Sequence, residues 1–222
     1  MDYYAVLKER VRSTNIFSAI PNNDRDYVLD EIRRLPQNAT MLEVGTFVAG
    51  TTRAMALVRP DVHVYSVDIN TWESKDPMLN NIKSHYGLVE ADDTTMHMIQ
   101  KINTEDLHNV TLITGKSLNV DLRNIDLVYL DGDHRFEAVL KELRYFWDRL
   151  TYNGIIMGDD VNSREVYDAV RVFAFEQNLE LCLYSKQFKL QKNKSHVGRK
   201  SESKLNMNLI ESKRPDLFNS AI

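Results

Sequence analysis

The chain has 222 residues, a net charge of −4, 43% hydrophobic residues and 27% charged residues, so it can bury the core of one ordinary domain and is not disordered throughout. Its single cysteine, Cys182, excludes an intrachain disulfide and a cysteine-rich zinc site. The opening residues are charged and lack the apolar centre of a signal peptide, and no stretch approaches ~18 apolar residues, so a cytoplasmic chain with no membrane span is expected.

Taken in order, residues 1–38 read as helical. A short helix is predicted over 2–11, and a second follows with Asn23 or Asp24 as its cap and Tyr27, Val28, Ile32 and Leu35 at helical spacing. Residues 41–44 read as a strand, 50–58 as a helix, and 63–67 as a second strand closing on Asp68. Residues 70–109 exceed what one crossover needs, so a helix near 93–102 plus an irregular insertion is expected. Strands are predicted at 110–114 and 125–130. A helix then carries an apolar stripe of Phe136, Val139, Leu140, Leu143, Phe146, Trp147 and Leu150. Residues 154–158 form a fifth strand. Asn162 and Glu165 have capping-box spacing ahead of a helix with Val166, Ala169, Val170 and Phe173 on one face. Residues 179–184 and 188–191 close the core as a strand pair.

Strands alternating with amphipathic helices imply an α/β fold, a doubly wound parallel sheet covered on both faces. The expected organisation is an N-terminal helical cap at 1–38, a core domain at 39–193 and a basic tail at 194–222. Residues 186–214 carry nine Lys or Arg against Glu202 and Glu211, so the rest of the chain is acidic.

In such a sheet ligands bind beyond the carboxyl ends of the strands. After the first strand comes Glu43-Val44-Gly45-Thr46-Phe47-Val48-Ala49-Gly50-Thr51-Thr52. Gly45 allows a tight turn and close backbone approach, and Gly50 opens a helix whose free N–H groups favour negative charge. The loop is neither Gly-x-Gly-x-x-Gly nor a P-loop, which argues against a dinucleotide pyrophosphate and a nucleoside triphosphate. Asp68 ends the second strand, where a carboxylate can accept both hydroxyls of a ribose. Asp131-Gly132-Asp133-His134 follows the fourth strand and Asp159-Asp160 the fifth. Strand ends ~4.8 Å apart bring these acids together, and they repel unless a cation neutralises them. All-oxygen ligands suit Mg²⁺, Mn²⁺ or Ca²⁺. His134 lies one turn from Asp131, where its imidazole can take a proton near neutral pH.

Glu-Val-Gly-Thr-Phe-x-x-Gly, Val-Asp after the second strand, Leu-Asp-Gly-Asp-His and Gly-Ile-Ile-x-x-Asp-Asp together resemble the class I S-adenosylmethionine-dependent methyltransferases. Within them the chain is similar to the metal-dependent small-molecule O-methyltransferases that act on catechols and macrolide sugars, over about residues 39–192. The resemblance implies a Rossmann-like, mostly parallel seven-stranded sheet. Glu43, Gly45 and Thr46, with Gly50 and Thr51 at the helix start, would then line the methionine end of S-adenosylmethionine. Asp68 would hold its ribose, Ser117 would lie near its adenine, and Asp131 would touch both cofactor and metal. Asp131, Asp159 and Asp160 would bind Mg²⁺ or Mn²⁺. His134 would be the general base, with Asp131 beside it in the reaction, on a sugar or alcohol hydroxyl. The expected acceptor is a small molecule, with no membrane and no nucleic acid, and a homo-oligomer is possible.

Two other readings stay open. A nucleic-acid methyltransferase could use the basic tail, although no Asn/Asp-Pro-Pro-Tyr/Phe element follows the fourth strand and Cys182 is not in a Pro-Cys element. A non-catalytic module could bind the cofactor and act through protein contacts, since fold alone does not imply turnover.

Overall fold

The computed structural model describes residues 3–17, 20, 22–72 and 76–192. The basic tail expected at 194–222 lies outside these residues.

Two helices open the chain, α1 (Tyr3–Ser13) and α2 (Asn22–Arg33). α2 begins at Asn22, so Asn23 and Asp24 stand in its first turn rather than capping it. Then come β1 (Thr40–Val44), α3 (Gly50–Val58) and β2 (His63–Asp68). The segment expected to be irregular is instead largely helical, with α4 (Pro77–Tyr86) preceding α5 (Asp93–Thr104). The signals for α4 are local. Asp76 caps it by accepting from the Met78 N–H at 2.8 Å, Pro77 sits where no N–H is needed, and Gly87 closes it in the left-handed region at φ 63°.

β3 (Val110–Thr114), β4 (Ile125–Leu130), α6 (Phe136–Trp147), β5 (Leu150–Gly158), α7 (Arg164–Glu176), β6 (Cys182–Tyr184) and β7 (Gln187–Gln191) complete the fold. α6 stops at Trp147, so Leu150 belongs to the following strand rather than to the helical stripe.

The seven strands form one sheet in the order β3-β2-β1-β4-β5-β7-β6. The first five run parallel, and β7 pairs antiparallel with both β5 and β6. The chain reverses its winding between β1 and β4, which places a crevice at their carboxyl ends. This is the expected doubly wound, mostly parallel seven-stranded sheet, with β7 as its antiparallel member.

Two-residue alternation sorts the strand side chains. Leu42, Val44, Val128, Leu130 and Ile156 pack under α6 and α7 with Leu143, Phe146, Val170 and Phe173. Met41, Val64, Leu127, Tyr129 and Met157 point the other way and pack with Val28 and Ile32 of α2 and Met55 of α3. Each fully buried aliphatic or aromatic side chain contributes about 1.5–3 kcal/mol. A third cluster joins α1, α4 and α5 through Leu7, Val11, Ile82, Met96 and Ile99. Among the described residues no helix is long and apolar enough to cross a membrane.

Candidate active site

The carboxyl ends of β1, β4 and β5 continue their ladders one step into the loops. Asp131 N–H donates to the Val44 carbonyl at 2.8 Å, Asp159 N–H to the Leu130 carbonyl at 3.0 Å, and Gly45 N–H to the Val67 carbonyl at 2.9 Å. Gly45, Asp131 and Asp159 therefore stand side by side. Gly45 has φ 97°, and a Cβ there would lie 2.1 Å from the Asp131 carbonyl oxygen. Only glycine lets the two loops approach this closely.

A cleft of about 1450 Å³ opens at this edge. Gly45, Asp68, Ser117, Asp131, Asp159 and Asp160 line it, together with His134. The other expected cofactor residues stand behind the loop. Glu43 is buried, and its carboxyl accepts the Thr52 hydroxyl and, at 2.5 Å, the Ser66 hydroxyl. Burial pushes it up to about 8, against the pull of Ser66 and Thr52. Thr46 is buried with its hydroxyl 2.7 Å from that of Ser66. Gly50 begins α3, and a Cβ there would meet the Phe17 carbonyl oxygen at 2.1 Å, so it seats the chain between α1 and α2. Thr51 follows it in the first turn of α3.

Asp68 clamps the glycine loop. Its Oδ2 accepts the backbone N–H of Thr46 at 2.9 Å and of Phe47 at 3.0 Å, and its Oδ1 accepts that of Asn70 at 2.8 Å. α5 holds the same loop from outside. Gln100 donates to the Phe47 carbonyl at 2.6 Å and to Asn70 Oδ1 at 2.7 Å, and Asn103 donates to the Val48 carbonyl at 2.7 Å. Phe47 and Ala49 both take positive φ, 48° and 61°, so these two amides secure carbonyls in a strained turn.

His134 reaches across to both acidic strand ends. Its Nε2 lies 3.4 Å from Asp160 Oδ2 and 3.9 Å from Asp131 Oδ1. Candidate ligand atoms of Asp131, His134 and Asp160 all lie within 4.8 Å of one another. The tight group thus contains His134 where the expected triple contains Asp159. The reason is local. Asp159 Oδ1 accepts the Asp160 N–H at 2.7 Å, and Asp160 takes a left-handed backbone at φ 56°. Asp159 remains beside the group, in the cleft wall.

Burial, and then proximity to Asp131 and Asp160, pushes Asp159 up to about 6, against the Asp160 N–H. Burial also raises Asp131, while His134 pulls it down. The Asp131 carboxylate first, then Asp160 and Asp159, raises the His134 imidazole against its partial burial. Carboxyls held above their ordinary range by burial and mutual repulsion mark a place that stabilises positive charge.

Two cleft features escape a reading of strand ends. Phe47 and Trp72, with ring centroids 5.1 Å apart, form an aromatic wall. Glu142 of α6 is buried yet lines the cleft, and the Ser117 hydroxyl donates to its Oε1 at 2.5 Å. Its sequence signal was a carboxylate inside the apolar stripe, between Leu140 and Leu143.

A family model described as a methyltransferase domain matches residues 42–161. Solved structures share the fold. A provisionally assigned O-methyltransferase of Klebsiella pneumoniae has TM-score 0.57 at 17% identity, over 86% of this chain and 90% of its own. The precorrin-6y C5,15-methyltransferase of Geobacter metallireducens has TM-score 0.56 at 13% identity, over 81% and 93%. A provisionally assigned methyltransferase of Streptococcus mutans, in complex with S-adenosylhomocysteine, has TM-score 0.54 at 14% identity, over 75% and 96%. No curated protein matches the chain.

Proposed function

Since the chain belongs to the methyltransferase-domain family and is an S-adenosylmethionine-dependent methyltransferase, we propose that it methylates a hydroxyl oxygen of a small molecule or sugar in the cytoplasm. In this reading the methionine end of the cofactor lies at the Gly45 loop, its ribose at Asp68 and its adenine toward Ser117.

The observation that carries oxygen chemistry is the approach of His134 Nε2 to Asp160 at 3.4 Å and Asp131 at 3.9 Å, at the strand ends beside Gly45. Two carboxylates next to one imidazole make it a stronger base and hold the proton it takes. The acceptor O–H loses its proton to His134 Nε2. The oxygen forms a bond to the sulfonium methyl as the carbon–sulfur bond breaks, and the electron pair stays on sulfur, leaving S-adenosylhomocysteine. His134 is about half exposed, so its proton can pass to solvent. The aromatic wall and the clamped glycine loop hold nucleophile and methyl in line, which accounts for much of the acceleration.

The donor set fits a divalent cation. Asp131 and Asp160, with Asp159 beside them in the cleft wall, would supply oxygen ligands suited to Mg²⁺ or Mn²⁺, and the raised carboxyls are those a cation would relieve. When bound there, such an ion supplies Lewis-acid polarisation of the acceptor hydroxyl.

The test uses the full chain with polyol and sugar acceptors. His134→Gln should lower kcat by about 10²–10⁴-fold while S-adenosylhomocysteine affinity stays unchanged. Asp160→Asn should abolish any stimulation by Mg²⁺. Full turnover of the His134 variant would remove the base, and full turnover of the wild type in excess EDTA would remove the metal.

A further inference from the structure

Gln100 is 1% exposed on α5, a helix that packs against α1 and α4 through Met96, Ile99 and Ile102. Burying an amide is costly unless its hydrogen bonds are made, and Gln100 makes them to two different loops. Its nitrogen carries two hydrogens. One goes to the Phe47 carbonyl at 2.6 Å, in the loop after β1, and the other to Asn70 Oδ1 at 2.7 Å, in the loop after β2. Asn70 passes the link on, because its Nδ2 donates to the Thr114 hydroxyl at 3.1 Å, at the end of β3. One side chain from outside the sheet thus joins the carboxyl ends of β1, β2 and β3, the three neighbouring strands on one side of the crevice.

The joined residues are ones that do not hold their conformation unaided. Phe47, Ala49 and Asn70 take left-handed backbone at φ 48°, 61° and 53°. Residues with a Cβ rarely adopt that region and keep it where their surroundings impose it. Asp68 accepts the N–H groups of Thr46, Phe47 and Asn70, and as an acceptor it can do nothing for the carbonyls. Those of Phe47 and Val48 are held from α5, by Gln100 and Asn103. Asn103 serves the first loop, whereas Gln100 serves both.

We propose that Gln100 is a positioning residue for the cofactor: by bridging the two loops it fixes them in the binding arrangement before S-adenosylmethionine arrives. The inference rests on the orientation given above, with the methionine end at the Gly45 loop and the ribose at Asp68, and is independent of metal and base. Loops ordered during folding need no ordering on binding. Without the bridge the competent arrangement is a fraction of the population, and affinity falls by that fraction. Bound cofactor selects the same arrangement, so its presence restores what the bridge supplied.

The experiment is calorimetric titration of the full chain with S-adenosylhomocysteine, with neither acceptor nor metal present, alongside hydrogen exchange read by mass spectrometry. Gln100→Met keeps the length of the side chain and removes both donors. It should bind S-adenosylhomocysteine about tenfold more weakly. Without ligand, residues 44–50 and 68–72 should exchange faster while β4 and β5 exchange as in the wild type, and saturating S-adenosylhomocysteine should bring both loops back to wild-type exchange. Asn70→Gly removes the acceptor and leaves φ 53° accessible. It should weaken binding about threefold in the wild type but less than about twofold in the Gln100→Met protein, where the second loop is already released. If Gln100→Met does not fold, Asn70→Gly alone decides, by its loss of affinity and the same local exchange. Wild-type affinity in either single variant, faster exchange spread through the core with affinity unchanged, or losses that multiply in the double variant would overturn the proposal and leave the orientation standing. A wild type that does not bind S-adenosylhomocysteine overturns both.

Discussion

Glu43, expected at the methionine end of the cofactor, is buried behind the loop that follows β1. Alternation along β1 puts it on the same face as Met41, beneath α3, where Thr52 and Ser66 donate to it. Burial raises it from 4.5 to about 8. Between those values the folded chain keeps a proton that the unfolded chain has lost. Its contribution is therefore fully present below about pH 4.5 and is lost as pH rises through the folded value. The slope is at most ~1.4 kcal/mol per pH unit. Glu43→Gln stays neutral and should flatten that part of the profile. Urea unfolding of both proteins from acid to mildly alkaline pH checks it. Glu142 and Asp159 shift in the same direction, so the difference between the two profiles isolates Glu43. Parallel profiles would mean that Glu43 ionises in the folded protein as readily as a surface carboxylate.

Among the elements, the start of α6 matters most, because it directly follows His134 and Arg135. Its first N–H, that of Phe136, donates to Glu165 Oε2 at 2.8 Å. Glu165 thus caps α6 rather than pairing with Asn162 at the head of its own helix, and Ser163 leads α7 without a side-chain cap. Removing this acceptor in Glu165→Ala should cost about 1 kcal/mol and lower kcat more than it raises KM, because the loop carrying His134 loses its anchor. Glu165→Gln keeps the acceptor oxygen and should restore both. Thermal unfolding and steady-state kinetics measure the pair; an alanine variant equal to wild type in both would show that the cap holds nothing in place. The parallel strands were legible because each is a short apolar run closed by glycine or aspartate, and the strand-end acids were legible for the same reason. α4 was missed because Leu79, Ile82 and Tyr86 are sparse among polar residues, although Asp76, Pro77 and Gly87 marked both its ends. The replacement of Asp159 by His134 in the tight acidic group was not legible, because it depends on one left-handed residue, Asp160. The link between Ser117 and Glu142 spans elements that no local pattern connects.

For the whole molecule, the boundary proposed near residue 38 separates segments that share cores. Val28 and Ile32 pack with Met41, Val64, Tyr129 and Met157, and Leu7 and Val11 pack with α4 and α5. Removing residues 1–38 would expose one face of the sheet and should give an insoluble or molten chain. The proposed tail at 194–222, outside the described residues, is rich in Lys and Arg. A chain ending at residue 193 should keep its melting temperature within about 2 °C and its affinity for S-adenosylhomocysteine. The same truncation decides between acceptors. Lys194, Arg199, Lys200, Lys204, Lys213 and Arg214 could neutralise phosphates, and binding of that kind weakens steeply with salt. If the acceptor is a small hydroxyl compound, full-length and truncated chains should methylate it equally, and neither should bind RNA or DNA at physiological ionic strength. Salt-dependent nucleic-acid binding that disappears on truncation, together with methyl transfer to the nucleic acid, would replace the small-molecule reading, because the cleft would then serve a substrate delivered by the tail.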